Sequence, residues 1–364
     1  MKCTGSFISF ILLSGGVSMP KKATIYDVAR AAHVSPATVS RVLNHPEQVR
    51  RSTSQTVYAA IHALSFDMRA LQRKEEMDNH TTVIRGSESL LLLLCLPSLS
   101  NPFYSDIMSG AQRTARRLGH HLLIYETSGD FQYQELQNLI RSHGVSGLIM
   151  MDVLTDSQLR QLNEMLPIVQ CSEYNKCSDI SYVSIDNMRA AKQAVDYILS
   201  TGRTKVALLS SSFQYTYAEE RRRGYEIALY EAGIPMRQEY IVQVSHITFE
   251  ISCYAAMRLL RLPEPPDAIF AVSDTLAAAA VKTAAELGFR VPDDLTIVGF
   301  DNTDVALTCT PALTTIGQPR QELGSTAVHL LLHEIENPQA PPQQIILNTD
   351  LIIRQTSKNR SPVG

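Results

Sequence analysis

Residues 24–44 read TIYDVARAAHVSPATVSRVLN, and this stretch contains the start signals of two short helices. Thr24 followed by Asp27 is a helix-start signature, because the hydroxyl can accept an orphan backbone N–H and the carboxylate suits the positive helix end. Ser35 is a second N-cap candidate, and Pro36 takes the first helical position, where its missing N–H costs nothing. Two short helices joined by a turn of roughly four residues predict a helix-turn-helix unit.

Apolar side chains at helical spacing predict the core of this unit. They lie on the second helix and on a third one that follows, at Val39, Val42, Leu43, Val57, Ala60, Ile61 and Leu64. The polar residues of the second helix are candidates to face outward, and the small Ala37 would let that helix lie deep in a DNA major groove. Arg41 could then reach a guanine edge or a phosphate. The alternative is an ordinary capped helix pair inside a larger core, with its charges in solvent.

The charge distribution favours a DNA-binding head. The net charge of the 364-residue chain is −3, yet residues 19–74 contain nine basic and three acidic side chains. A basic head on an acidic body suits a polyanionic partner. The hydrophobic content of 45% is typical of a globular protein, and the length allows two or three domains. The six cysteines show no metal-ligand spacing, which favours reduced thiols in the cytoplasm.

Residues 1–18, MKCTGSFISFILLSGGVS, resemble a weak signal peptide. Their apolar run, Phe7 to Leu13, is too short to span a membrane. Met19 opens MPKKATIYDV, which is typical of a natural start. We therefore expect residues 1–18 to be untranslated or a disordered leader, and residues 19–66 to form the head. The alternative is export, which would contradict a DNA-binding head.

The body, residues 89–364, alternates apolar strand-like runs with helical patterns. The run beginning SLLLLLC at Ser89 predicts a buried parallel strand, and the strand–helix unit then repeats several times. This alternation predicts an α/β fold of doubly wound parallel sheets in two lobes. We expect lobe one at about 89–185 and 316–340, and lobe two at about 186–315 and 341–357. Ligands of such sheets bind beyond the carboxyl ends of strands, here at loops 101–104, 151–152, 172–173, 210–221, 273–274 and 301–302.

The motif in residues 24–44 closely resembles the head of the LacI/GalR family of bacterial repressors, and the likeness covers nearly the whole chain beyond Met19. It implies a helix-turn-helix head, a body like that of periplasmic binding proteins, and a dimer on a near-palindromic operator. By this resemblance Thr38, Ser40 and Asn44 contact phosphates, while Arg41 and the Pro36–Ala37 pair read bases. The full predicted DNA-binding set is Thr24, Ser35, Pro36, Ala37, Thr38, Ser40, Arg41, Asn44, Arg50, Arg51, Arg69 and Arg73.

The connector, residues 67–88, departs from the family pattern. Relatives carry a hinge helix whose leucine wedges into the minor groove, but Glu75 stands at that position here. A carboxylate cannot act as an apolar wedge and is repelled by phosphates. We expect Arg69, Arg73 and Lys74 to hold phosphates instead, with loosely tethered heads that tolerate changes in half-site spacing.

The resemblance also assigns an effector pocket between the lobes. Asp301 and Arg221 suit sugar or ribose hydroxyls, and Phe103 with Tyr104 could stack on a flat sugar face or a base. Body motifs such as DLTIVGFDN, residues 294–302, resemble the corresponding segments of family members whose effector is a nucleoside. We therefore favour a nucleoside as the effector, with a sugar or sugar phosphate as the alternative. The predicted effector-binding residues are Phe103, Tyr104, Met151, Ser172, Glu173, Tyr215, Tyr217, Arg221, Ile247, Phe249, Ser273, Asp274 and Asp301.

Catalytic motifs such as GxSxG, HExxH and the phosphate loop do not occur, so the sequence predicts no enzyme, no cofactor and no metal site. Two hypotheses follow. The first is a cytoplasmic, effector-controlled transcription regulator that acts as a dimeric repressor and has no membrane partner. The second is an exported small-molecule-binding protein whose head no longer functions.

Overall fold

The computed structural model describes residues 89–127, 133–176 and 179–357, together with nine positions in the N-terminal part. These nine are Ala31, Ala32, Val34, Val39, Val42, Thr53, Thr56, Val57 and Ala60. The chain divides into two compact units, residues 1–82 and 83–364.

The described residues of the first unit include part of the predicted helical core. Val39, Val42, Val57 and Ala60 are helical and buried, and the three valines are fully buried. The predicted apolar sides of the second and third helices are therefore confirmed at these positions. All twelve predicted DNA-binding residues, and the hinge residues Lys74 and Glu75, lie outside the described residues.

The described body contains twelve strands and nine α-helices in alternation. The strands are β1 Leu91–Leu96, β2 His121–Glu126, β3 Val145–Met150, β4 Ile168–Cys171, β5 Tyr182–Ile185, β6 Val206–Ser211, β7 Ile241–Val244, β8 Ala268–Ala271, β9 Thr296–Asp301, β10 Thr314–Gly317, β11 Gln344–Leu347 and β12 Asp350–Ile352. The helices are α1 Pro102–Arg117, α2 Tyr133–His143, α3 Asp156–Asn163, α4 Asn187–Ser200, α5 Thr216–Glu231, α6 Phe249–Leu260, α7 Asp274–Glu286, α8 Asp304–Thr308 and α9 Arg320–Glu336.

These strands form two six-stranded sheets, one in each lobe. The first sheet has the order β11-β5-β4-β3-β1-β2 and is parallel throughout. The second has the order β12-β10-β9-β8-β6-β7, and only the edge strand β12 is antiparallel to its neighbour. In each sheet the strand order reverses beside the first strand, which makes the fold doubly wound, as the sequence predicts.

The run of leucines in β1 is continuous because this strand is buried on both faces. Leu92, Leu94 and Leu96 belong to the core formed with α1 and α9, whereas Leu93 and Cys95 pack against α2 and α3 on the other side. Each fully buried leucine contributes about 1.5–3 kcal/mol of hydrophobic stabilisation. The predicted buried parallel strand is therefore confirmed.

The chain passes between the two sheets at three places, and two of these differ from the expected lobe boundaries. The first crossing follows β5. The second follows Gly317, because β10 pairs with β9 and β12 in the second sheet. The third follows Leu347, because β11 pairs with β5 in the first sheet. Residues 341–347 were expected in lobe two. Instead, they contain β11, the outer strand of the first sheet, and the short segment that leads into it.

Close helix packing accompanies these crossings. In lobe one, α1 and α9 meet where a Cβ added at Gly110 would strike the backbone of Gln321, and one added at Gly324 would strike the carbonyl of Ile107. In lobe two, Gly224 on α5 lies equally close to the carbonyl of Met188 on α4. These glycines let the helix pairs approach to backbone contact.

Candidate functional site

A cavity lies between the lobes at the carboxyl ends of strands from both sheets. Its walls come from the segments that follow β1, β3 and β4 in the first sheet and β6, β7, β8 and β9 in the second. This is the position at which doubly wound sheets bind ligands.

Eleven of the thirteen predicted effector-binding residues line this cavity. The full lining is Asn101, Phe103, Tyr104, Met151, Ser172, Glu173, Tyr215, Tyr217, Arg221, Ile247, Val272, Ser273 and Asp301. The two predicted residues outside it are Asp274 and Phe249.

Two groups of lining residues lie on helices rather than in the loops that the sequence predicted. Phe103 and Tyr104 are in the first turn of α1, since Asn101 caps this helix by accepting a hydrogen bond from the Phe103 amide at 3.1 Å. Their rings pack edge to face at 5.2 Å. Arg221 lies within α5, not in a loop after β6.

The Arg221 guanidinium is held on all sides. Its Nε donates to Asn187 Oδ1 at 2.9 Å, and its Nη1 donates to the Val272 carbonyl at 2.6 Å. The guanidinium carbon stands 3.6 Å from the centre of the Phe300 ring and 4.9 Å from that of Tyr217. Burial lowers the pKa of Arg221, and the nearby Asp301 carboxylate opposes this change. The side chain is thus preorganised with few alternative positions.

Asp301 is the counter-charge of this arginine. Its Oδ1 lies 3.6 Å from Arg221 Nη1 and accepts a hydrogen bond from Gln318 Nε2 at 2.8 Å. The residue has a φ of 108°, in a region that favours glycine, so the fold holds its carboxylate in a strained position. Burial raises the pKa of Asp301 to about 7, while Arg221 acts in the opposite direction. Together the pair presents a donor and an acceptor to hydroxyl groups.

Glu173 connects the lobes across the cavity. This buried side chain follows β4 in lobe one, and its Oε1 and Oε2 accept hydrogen bonds from the Thr216 and Tyr217 amides at 2.7 and 3.3 Å. Both amides belong to the first turn of α5 in lobe two. Burial raises the pKa of Glu173 to about 7, and the amide hydrogen bonds limit that rise.

Tyrosine hydroxyls supply neutral polar groups at the cavity. Tyr217 Oη lies 2.8 Å from Ser211 Oγ, and burial raises the pKa of both Tyr217 and Tyr104 above the usual tyrosine value. These hydroxyls therefore stay protonated near neutral pH and can donate hydrogen bonds. The Tyr215 ring lies 5.5 Å from that of Tyr217 and completes the aromatic wall.

Asp274 and Phe249 have other surroundings. The Asp274 carboxylate accepts hydrogen bonds from the Thr303 amide at 2.6 Å and from Thr315 Oγ1 at 2.6 Å, so it joins α7 to neighbouring segments inside lobe two. Phe249 is half-exposed and lines a separate groove between α6, α7 and α8. Phe249 therefore lies outside the cavity between the lobes, whereas Ile247 lines it.

Three residues of the site were not predicted, and a fourth, Asn101, was predicted only as part of loop 101–104. Asn101 and Val272 line the cavity, while Asn187 and Gln318 hold Arg221 and Asp301 in place. Asn187 and Gln318 each follow a strand closely, at the points where the chain leaves one lobe for the other. The carboxyl-end rule, applied to the strands at the crossings, could have identified them.

The cavity is small in this structure, with a volume of about 30 Å³. A ligand pocket usually has about 300–1,000 Å³. A second cavity of about 280 Å³ adjoins it, and Glu173 lines both. Side chains from the two lobes thus fill most of the space between them in this structure.

Within the described ranges, no group of three or more histidine, cysteine or acidic side chains could hold a metal ion. No helix of the described segments is both long and apolar enough to cross a membrane.

Known proteins match both units of the chain. A family profile described as bacterial regulatory proteins, lacI family, matches residues 24–67, and one described as periplasmic binding protein-like domain matches residues 195–357. The HTH-type transcriptional repressor CytR of Escherichia coli (strain K12) is 32% identical over 343 residues, which cover 92% of this chain and 96% of that protein.

Two solved structures span almost the entire chain. The transcriptional regulator CelR in complex with cellobiose has a TM-score of 0.68 and 26% identity, and the match covers 92% of this chain and 100% of that one. The lac repressor dimer bound to operator and the anti-inducer ONPF has a TM-score of 0.67 and 25% identity, with coverage of 93% and 99%.

Proposed function

The chain belongs to the lacI family of bacterial regulatory proteins, and we propose that it represses transcription as a dimer on a near-palindromic operator. It is a DNA-binding transcription regulator and not an enzyme. In our proposal each head binds one half-site, with Arg41 and the Pro36–Ala37 pair reading bases and the other predicted head residues holding phosphates. A small effector in the cleft changes the affinity for DNA by favouring one arrangement of the lobes.

The observation that carries effector control is the meeting of side chains from both lobes at one cavity. Phe103 and Glu173 come from the first lobe, whereas Arg221 and Asp301 come from the second. A ligand that contacts both groups binds most tightly to one lobe arrangement, and only such differential binding can shift an equilibrium. Binding of a small molecule at this position can therefore change the DNA affinity of the heads.

We favour a nucleoside as the effector. The Arg221–Asp301 pair suits the vicinal hydroxyls of ribose, and the rings of Phe103, Tyr104 and Tyr215 offer faces and edges to a base. The resemblance of residues 294–302 to family members with a nucleoside effector supports this choice. A sugar is the alternative, and the CelR complex with cellobiose supports it.

An apolar groove on lobe two, separate from the cavity between the lobes, is a candidate dimer contact. Phe249, Val281 and Val305 line an apolar groove of about 390 Å³ between α6, α7 and α8, and Leu307 on α8 is 62% exposed. Apolar patches of this kind mark interaction sites. A second copy is the occupant we favour, because the related lac repressor binds its operator as a dimer.

We place the protein in the cytoplasm, where it can reach DNA. The alternative, an exported small-molecule-binding protein with an inactive head, is not favoured, because residues 24–67 match the lacI-family profile.

DNA binding can be tested with the full chain and promoter fragments in the presence of random competitor DNA. We expect Arg41→Ala to lose the preference for the promoter fragment that the wild-type protein selects. Arg30→Ala, in the predicted first helix of the head, should retain this preference. Binding should weaken with salt, with a log–log slope of about −0.9 per phosphate contact. Equal binding of all fragments by the wild-type protein at low salt would contradict the proposal.

The effector class can be tested by thermal shift of the full chain with nucleosides, bases and sugars. A nucleoside is expected to raise the melting temperature and to change the affinity for the selected fragment. A sugar that alone does both would replace the nucleoside, and no response to any of the three classes would contradict the proposed pocket.

A further inference from the structure

The N-terminus of α5 has its cap supplied by the opposite lobe. Tyr215 stands at the N-cap position and makes no side-chain capping hydrogen bond. The Thr216 and Tyr217 amides donate instead to the two carboxylate oxygens of Glu173, which follows β4 in the other lobe. A helix N-terminus carries unpaired N–H groups and a partial positive charge, so a carboxylate is a fitting partner.

Neighbouring contacts fix Glu173 in this position. Thr216 Oγ1 donates to the Tyr174 carbonyl at 2.7 Å, and Tyr174 Oη donates to Glu220 at 2.9 Å. Lys176 pairs with the same Glu220 at 3.0 Å. The residues directly after Glu173 are therefore joined to the first two turns of α5, and the Glu173 carboxylate is held at the boundary between the two cavities.

The positively charged groups at the cavity already have hydrogen-bond or ion-pair partners within the protein. Among the described residues that line it, Arg221 is the one cation, and its donors face Asn187, the Val272 carbonyl and Asp301. Three helices begin at the cavity and their N–H groups are also positive. The N-termini of α1 and α7 are capped by their own Asn101 and Ser273 side chains, whereas the first amides of α5 are occupied by Glu173 from the other lobe. An incoming phosphate would meet the carboxylates of Glu173 and Asp301 without an available cation.

We propose that Glu173 is a specificity-determining residue that fills the anion position of the cleft and so selects an uncharged effector over a phosphorylated one. The inference rests on the proposed function in taking this cavity as the effector site. It narrows the effector to an unphosphorylated nucleoside or sugar. A phosphate could reach the Thr216 and Tyr217 amides only by displacing Glu173, which would place two anions side by side in a poorly solvated cleft.

Removal of the Glu173 carboxylate should therefore create affinity for phosphate. The experiment measures binding of inorganic phosphate to the full chain at pH 8 by thermal shift, against sodium chloride of matched ionic strength. We expect Glu173→Ala to bind phosphate about tenfold more tightly than the wild-type protein, as anion binding at a helix terminus allows. Glu173→Gln should show a smaller gain, because its amide oxygen can occupy only one of the two N–H groups.

The matched control is Glu219→Ala, which removes a carboxylate from the first turns of α5 but leaves the Glu173 contacts in place. Glu219 pairs with Arg223 on the same helix. Phosphate binding by the head is common to all variants and cancels in the comparison. Equal phosphate affinity of Glu173→Ala and Glu219→Ala would overturn the proposal, as would equal affinity of the wild-type protein and Glu173→Ala. Should Glu173→Ala not fold, the same comparison is made with Glu173→Gln.

This result can be separated from the proposed function. The phosphate measurement needs neither DNA nor a known effector. A protein that fails to select a promoter fragment but gains phosphate binding in Glu173→Ala would contradict only the regulator proposal. One that selects a fragment but shows no gain would contradict only the role of Glu173.

Discussion

Asp301 combines a functional position with an unfavourable backbone conformation. It ends β9 with φ at 108°, and its carboxylate faces Arg221 while Gln318 donates to it. Strain of this kind persists only where the surroundings determine it, and it is common at ligand sites. Asparagine tolerates positive φ better than most residues, so Asp301→Asn changes the charge with little added strain.

We expect Asp301→Asn to weaken effector binding by about ten- to a hundredfold, since a hydrogen bond to a charged group contributes about 1.5–3 kcal/mol. Isothermal titration with the effector identified by thermal shift measures this change. Asp304→Asn, three residues further at the exposed start of α8, is the control and should bind normally. An unchanged affinity of Asp301→Asn would show that this carboxylate does not contact the ligand.

Glu173 also makes stability depend on pH. Burial raises its folded-state pKa from 4.5 to about 7, against the two amide hydrogen bonds, with Glu220 adding repulsion. The folded protein thus holds a proton that the unfolded chain has already released. Relative to Glu173→Gln, the wild-type protein should lose stability as the pH rises from about 4.5 to 7, by up to about 3 kcal/mol.

Denaturant unfolding of the two proteins at several pH values between 4.5 and 8 measures this difference. The comparison removes the contributions of Asp301 and Asp274, whose pKa values burial also raises and which both proteins share. A constant difference across this range would mean that Glu173 keeps an ordinary pKa.

At the scale of elements, helix pairs in backbone contact hold each lobe together. Gly324 on α9 faces the carbonyl of Ile107 on α1, and an added methyl group has no room there. Gly324→Ala should lower the free energy of unfolding by about 1–3 kcal/mol through overpacking, although alanine favours helix formation. Chemical denaturation checks this value, with His329→Ala on the exposed side of α9 as the control. Equal stability of the two variants would mean that α1 and α9 can move apart without cost.

The sequence predicts the strands and helices better than it predicts which strands pair with each other. The leucines of β1 identify a strand buried on both faces, and alternation alone implies the doubly wound class. By contrast, β11 is an edge strand with half-exposed residues, and its short pattern fits either sheet equally well. Helix α1 begins at Pro102 because Asn101 caps it, a signal that the Ser-Asn-Pro sequence already contained.

The same limit applies to the candidate site. Eleven lining residues were predicted because they follow strands or match family positions. Asp274 follows β8 in the same way, yet its carboxylate turns inward to Thr303 and Thr315. The contact between Glu173 and α5 also could not be predicted, because the two segments belong to different lobes.

For the whole molecule, dimerisation determines how strongly two heads can bind one operator. Two linked heads bind their half-sites far more tightly than a single head, because the second contact becomes intramolecular. In our proposal the Phe249 groove contributes to the pairing of the bodies. The groove contains one lysine, Lys282, which already pairs with Glu286, so a charge placed there would be buried at a cost of several kcal/mol when two copies meet.

We therefore expect Phe249→Asp to shift the protein from dimer to monomer and to weaken operator binding by at least about tenfold. Sedimentation velocity measures the first effect, and fluorescence anisotropy with labelled operator measures the second. Tyr230→Asp is the matched control, because this ring is 85% exposed on α5 and outside the groove, so a charge there should change neither quantity. If Phe249→Asp remains a dimer, the bodies pair through another surface. If it becomes a monomer but binds the operator normally, dimerisation of the bodies is not needed for DNA binding. The effector would then have to change DNA affinity within a single chain.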